Sequence, residues 1–233
     1  MAPGMATHLP RRWRFFDLDG TLVDSLGGIR ATCRAACARH GFPEPSEETI
    51  TPLIGLPLPQ MIRRSLPEGT TDTAVAEVVV TYQATFDEIA LPMTRAFADV
   101  AKALRAWRRA GVGIGVATGK NVTVARRVIA HCQLSTTIDL LVGGDEVARG
   151  KPAPDIVDLA LTRAGARADN AVLVGDSVHD IAMAVAARVA PIGIAHGAST
   201  REALGTAGAI AVVDRFADLE AVFKRIEEPF RRE

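Results

Sequence analysis

The segment Trp13 to Leu18 is a short apolar run that reads as a β-strand, with Phe15 and Phe16 supplying β-favouring bulk. It ends in Asp17-Leu18-Asp19-Gly20-Thr21. Gly20 permits backbone angles that other residues avoid, so the chain can turn at once. The two carboxylates then converge on one site at the carboxyl end of a strand, where open α/β sheets place their ligands. The next strand of comparable strength, Val112 to Ala117, comes more than ninety residues later. That interval is far too long for a loop inside a compact domain. It carries helical patterns instead: Leu26 to His40, which stops at Gly41, then Pro59 to Leu66 and Thr73 to Ile89, separated by Pro67-Glu68-Gly69. Residues 24–91 therefore read as a small helical domain inserted between residues 1–23 and 92–233.

Beyond the insertion, strands and helices alternate. Thr94 is placed to cap a helix running to Ala110 and stopped by Gly111, and a helix follows Lys120. Strands are expected at Asp139 to Val142, Ala171 to Val174, Val189 to Ile194 and Ile210 to Val213. Helices are expected at Pro154 to Ala164, Asp180 to Ala187 and Ala217 to Glu227. Such alternation predicts an α/β fold, a doubly wound parallel sheet with right-handed crossovers.

Composition narrows the function classes. With 27 basic and 27 acidic residues the formal charge is zero, which argues against broad attraction to nucleic acid or an anionic membrane. No apolar stretch approaches the length of a bilayer crossing. Met1 to Pro10 lacks a signal-peptide core and reads as a disordered start, so a cytoplasmic location is expected. Three cysteines make no disulfide framework; Cys33 and Cys37 share a helix face and, like Cys132, read as small buried apolar groups.

Three more signals follow predicted strands. Thr118-Gly119-Lys120 offers a hydroxyl, a glycine and a lysine, suited to holding an anion against backbone N–H groups. Gly150-Lys151-Pro152-Ala153-Pro154-Asp155 presents a lysine on a proline-stiffened approach to a helix. Gly175-Asp176-Ser177-Val178-His179-Asp180 sets two carboxylates four residues apart after the most apolar strand, a pattern of hard oxygen ligands for a divalent cation.

In that order, FFDLDGTLVDS, VATGK, GKPAPD and GDSVHD resemble the four motifs of the haloacid dehalogenase superfamily, which is mostly phosphatases. The resemblance extends over roughly residues 13 to 214, and a helical cap after the first motif resembles the phosphoglycolate-phosphatase-like branch. It implies a magnesium-dependent hydrolase of a small phosphate monoester, working through an aspartyl-phosphate. It assigns Asp17 as the nucleophile, a group already ionised at neutral pH. Asp19 would protonate the leaving alcohol and then deprotonate the attacking water. Magnesium would sit on the Asp17 carboxylate, the Asp19 backbone carbonyl and Asp176. Lys151 would offset charge and Thr118 would hydrogen-bond a phosphoryl oxygen. Gly119 and Lys120 would support the site, as would Asp180, either through water or as a partner for Lys151.

A dehalogenase would leave Asp19 and the metal idle, and a Schiff-base phosphonatase needs a cap lysine, whereas no lysine precedes Lys102. A sugar-phosphate mutase needs a basic cap loop, but Ile54 to Pro59 is uncharged; Arg63 and Arg64 could substitute. A non-catalytic binding module stands as the remaining alternative. Arg63 and Arg64 are the candidates for touching substrate, and His196 could reach the site from its loop. Between Asp24 and Ala90 there are nine acidic and five basic residues, so the insertion is no general anion trap. Leu91-Pro92-Met93 stands where capped relatives carry a Tyr-Pro-Gly-like turn, which leaves the phosphorylated metabolite open.

Overall fold

The computed structural model describes residues 12–227. The expectation for residues 1–10 lies outside them. Strand β1 (Trp13–Phe16) is buried throughout, because it runs through the middle of a sheet covered on both sides. Its side chains alternate. Trp13 and Phe15 enter one core cluster, stacked at 5.6 Å, while Phe16 enters the other and stacks on Trp107 at 5.9 Å. Both tryptophans are packing groups.

A short β2 (Val23–Asp24) leads into the inserted helices α1 (Leu26–Arg39), α2 (Glu47–Ile50), α3 (Leu58–Ser65) and α4 (Asp72–Met93). The chain returns through β3 (Arg95–Ala96), which pairs antiparallel with β2, Val23 opposite Ala96 and Asp24 opposite Arg95. Between β2 and β3 there is no strand. Helices α1 and α4 pack against each other through residues such as Ile29, Cys33, Tyr82 and Phe86.

The remainder alternates: α5 (Val100–Arg109), β4 (Gly113–Ala117), α6 (Val122–His131), β5 (Leu140–Val142), α7 (Asp155–Ala164), β6 (Ala171–Gly175), α8 (Val178–Ala186), β7 (Ala190–Ile194), α9 (Arg201–Thr206), β8 (Ala211–Val213) and α10 (Leu219–Glu227). The main sheet has the order β5-β4-β1-β6-β7-β8, all parallel. From β1 the chain winds outward through β4 and β5, then crosses back to β6 on the other side. Beside β1 the order reverses, and that switch point is where such sheets bind ligands.

Two local expectations need correction. Thr94 caps no following helix: its hydroxyl donates to the Ala90 carbonyl at 2.9 Å, and α5 begins only at Val100. Helix α4 does not stop at Ile89 either but continues through Pro92 to Met93. Burial of its inner face through Ala90 outweighs the one hydrogen bond proline forfeits. Helices α2 and α9 were not foreseen; each is a short turn started by a hydroxyl cap, Ser46 or Thr200. Among the described residues no helix is long and apolar enough to cross a membrane.

Candidate active site

Asp17 leaves β1 at its carboxyl end, its N–H still donating to the Val174 carbonyl at 2.9 Å. The chain then turns through Gly20 at φ 79°, a left-handed angle, and a Cβ there would lie 2.2 Å from the Asp176 carboxylate. Only glycine meets both demands. The turn brings Thr21 beneath Asp176, to whose Oδ1 its hydroxyl donates at 2.7 Å; the Ala198 N–H donates to the other oxygen at 2.7 Å.

Asp19 is held at both oxygens. Ser25 Oγ donates to Oδ1 at 2.7 Å, and Lys120 Nζ pairs with Oδ2 at 3.0 Å. The Lys120 ammonium also sits over the Phe86 ring of α4, 4.5 Å from its centroid. Lys151 is wholly buried between two carboxylates, 2.7 Å from Asp17 and 2.5 Å from Asp180. Asp180 is thus an ion-pair partner of Lys151. Its other oxygen accepts from the Ser177 hydroxyl at 2.6 Å, inside the capping box that starts α8.

Four buried carboxyl groups (Asp17, Asp19, Asp176, Asp180) thus face two ammonium groups, an excess of acidic over basic groups. Burial pushes the Asp17 carboxyl up to about 6 against the pull of Lys151. Burial, with Asp180 and Asp17 nearby, holds Asp176 well above the usual carboxylate range. Burial alone would lower Lys151, but Asp17 and Asp180 outweigh it and keep the ammonium charged. Oxygens of Asp17, Asp176 and Asp180 all lie within 4.8 Å of one another. Hard oxygen donors in charge excess, so close together, fit a divalent cation of the magnesium class.

A cavity of about 360 Å³ opens over Asp17 and Asp19, lined also by Thr118, Gly119 and Lys120. Thr118 is buried just past β4. The inserted segment lies directly against this mouth: a Cβ at Gly119 would lie 2.5 Å from the Gly55 carbonyl oxygen, so the approach requires glycine. His179 on α8 also reaches the insertion, its Nε2 3.2 Å from the Pro52 carbonyl.

Three of the candidate substrate contacts are not at this cavity. Arg63 binds back along its own segment, donating to the Thr70 carbonyl at 2.6 Å and pairing with Asp72, and Arg64 is exposed. Neither lines the cavity, whereas Met61 of the same helix does. His196 stacks on Phe97 at 3.8 Å, and burial lowers its pKa. The expected pair Lys151 and Thr118, by contrast, stands where Asp17 and Asp19 are. Ser25, Tyr82 and Phe86 were missed. Ser25 lies within the first motif but carries no distinguishing signal, and nothing in the helical pattern of 73–89 singles out the two aromatics.

This geometry has known counterparts. The family described as haloacid dehalogenase-like hydrolase matches residues 15–194. The chain belongs to that family. Over 206 residues it is 35% identical to "Probable phosphatase IndB" of Dickeya dadantii, covering 88% of this chain and 90% of that protein. It is 31% identical over 211 residues to a phosphoglycolate phosphatase of Rhodospirillum rubrum, covering 88% and 87%. A hydrolase from Pseudomonas syringae superposes with a TM-score of 0.84 at 24% identity, over 93% of this chain and 99% of that one, a likeness of fold. Family and relatives together place this hydrolase among the phosphatases of its family.

Proposed function

We propose that this haloacid dehalogenase-like hydrolase is a cytoplasmic, magnesium-dependent phosphatase of a small phosphorylated metabolite that works through an aspartyl-phosphate, with residues 24–91 as its cap. The observation that carries the reading is the placement of Asp17, Asp19, Thr118 and Lys120 on one cavity, with Lys151 and Asp176 packed against its floor.

Phosphate monoesters hydrolyse very slowly unaided, and an anionic nucleophile is repelled by the anionic phosphoryl oxygens, so catalysis rests on offsetting charge and fixing position. Asp17, at the cavity floor, attacks phosphorus; the P–O bond to the alcohol breaks as the Asp17 Oδ–P bond forms. Lys151, held beside Asp17, and the Thr118 hydroxyl take up charge on the phosphoryl oxygens. Asp19, immobilised by Ser25 and Lys120, gives its proton to the departing alkoxide. It then takes a proton from the water that cleaves the acyl-phosphate and frees Asp17. The Asp17 and Asp176 carboxylates and the Asp19 backbone carbonyl would hold magnesium. When bound, the ion withdraws negative charge from the transferring group.

The reading is tested by rapid acid quench of a turnover with radiolabelled ester: label is expected on the wild-type chain and not on Asp17→Asn. Absence of labelled protein during active turnover would remove the covalent step. Asp19→Asn is expected to lower kcat by about 10²- to 10⁴-fold, the range typical of a lost general acid–base. Steady-state phosphate release checks it, and near-normal kcat would reassign the proton transfer.

Magnesium has a readout that needs no substrate. Because the cation offsets the excess of buried negative charge, its addition is expected to raise Tm, and chelator to reverse the rise. At a free concentration a hundred times Kd the stabilisation is about 2.7 kcal/mol. For a chain of this size that corresponds to roughly 5–10 °C. Calorimetry with and without chelator would show it, and an unmoved Tm at saturating magnesium would argue against these ligands.

A further inference from the structure

We propose that the ester cleaved here has an uncharged leaving alcohol with an apolar, ring-sized body, selected by the segment 54–59 and the aromatic face of α4. The inference rests on the phosphatase reading and names its substrate class.

The cavity lining holds two unlike sets of groups. One is the Asp17 and Asp19 carboxylates with Thr118 and Lys120. The other is Ile54, Gly55, Leu56, Pro57, Leu58 and Pro59, every one of them uncharged, and the two sets meet where Gly55 lies against Gly119. Met61 of α3 and the Tyr82 and Phe86 rings of α4, 6.1 Å apart and tilted, add to that set, with Gln83 and Asn121 as polar but uncharged neighbours. The alcohol of a phosphoryl group seated at Asp17 therefore meets a lining that is mostly apolar.

A second anionic group on the alcohol would meet no free cation there. Among the described residues, Lys120 is the cation on the cavity lining, and its ammonium is already committed to Asp19 and to the Phe86 face. Lys151 is enclosed between Asp17 and Asp180. No arginine of the inserted segment lines the cavity, and Arg63 is held by Thr70 and Asp72 while Arg30 lies beside Glu47 at 3.7 Å and Thr51 at 3.4 Å. The charged group at the rim has the wrong sign for an anion, since Asp145 lines the cavity as a carboxylate fixed by the Asn121 amide and the Val122 N–H, each at 2.7 Å. A carboxylate or second phosphate would lose its hydration without gaining a partner, whereas a neutral ring would gain apolar contact on both faces. The volume, about 360 Å³, sits at the low end of the roughly 300–1,000 Å³ usual for ligand sites, room for a phosphate and one ring-sized body.

The test compares esters matched in size and in leaving-group chemistry, with magnesium present: benzyl phosphate against 4-carboxybenzyl phosphate, and ethyl phosphate against 2-phosphoglycolate. In each pair the charged member is expected to show a kcat/KM at least about tenfold lower. Benzyl phosphate is expected to be the best of the four. Leu58→Arg, at the half-buried first position of α3, is expected to narrow or reverse both gaps through KM with little change in kcat. Equal rates within the pairs, or preference for the charged members, would overturn this inference and leave the phosphatase reading intact. No phosphate from any ester, by folded protein that binds benzyl phosphate, would overturn both.

Discussion

Replacing Asp17 with asparagine is expected to cut phosphate release by at least about 10⁴-fold without unfolding the protein. An amide has nearly the shape of the carboxylate but is no nucleophile, so the covalent step is lost while packing survives. Lys151 keeps Asp180 at 2.5 Å and is not left as a bare buried charge. Removing one of four buried carboxyl groups also removes the charge that burial, and then Asp180 and Asp19, make costly at Asp17. Without magnesium the variant should therefore melt no earlier than the parent. Phosphate release and a thermal scan on the same preparation check both halves. Residual activity above one part in a thousand would mean that another group attacks phosphorus.

Lys151→Met should do the opposite to stability. Methionine fills much of the lysine volume, but it leaves Asp17 and Asp180 facing each other in a dry pocket with no cation between them. Stripping one partner from a buried ion pair costs about 3–5 kcal/mol. At about 2–4 °C per kcal/mol for a chain of this length, Tm should fall by roughly 6–20 °C. Turnover should collapse as well, because transferring phosphoryl charge loses its nearest fixed positive partner. Magnesium should recover part of the lost Tm, since it supplies charge to the same carboxylates, and should not recover turnover. A variant that melts like wild type in chelator would show that the paired aspartates are protonated and that Lys151 contributes little to holding the site.

The two substitutions differ because one removes a charge from a site with too many of that sign and the other removes one of only two that oppose them. Such asymmetry is invisible in the formal charge of the whole chain, which is zero. It arises only when Asp176 and Asp180, more than 150 residues from Asp17, close around Lys151.

Much of this protein could be read along the chain. Asp17-Leu18-Asp19-Gly20-Thr21 marks a strand end that must turn, because glycine at position 20 answers a local steric demand. Apolar runs of strand length recur at β4, β6 and β7, since strands buried on both faces must be apolar throughout. The motif residues Thr118, Lys151, Asp176 and Asp180 stand out because each follows such a run. What chain order could not decide was the use of side chains whose partners are distant. Arg63 and Arg64 read as substrate contacts, yet neither lines the cavity. Tyr82 and Phe86 carry no mark of function in the sequence, yet in the fold they serve both the core and the cavity lining. A run of residues records its own conformational preferences and hydrophobic period. Which faces meet, which charges are shared and what an enclosure will accept depend on surfaces brought together across the whole chain, and these exist only in the folded molecule.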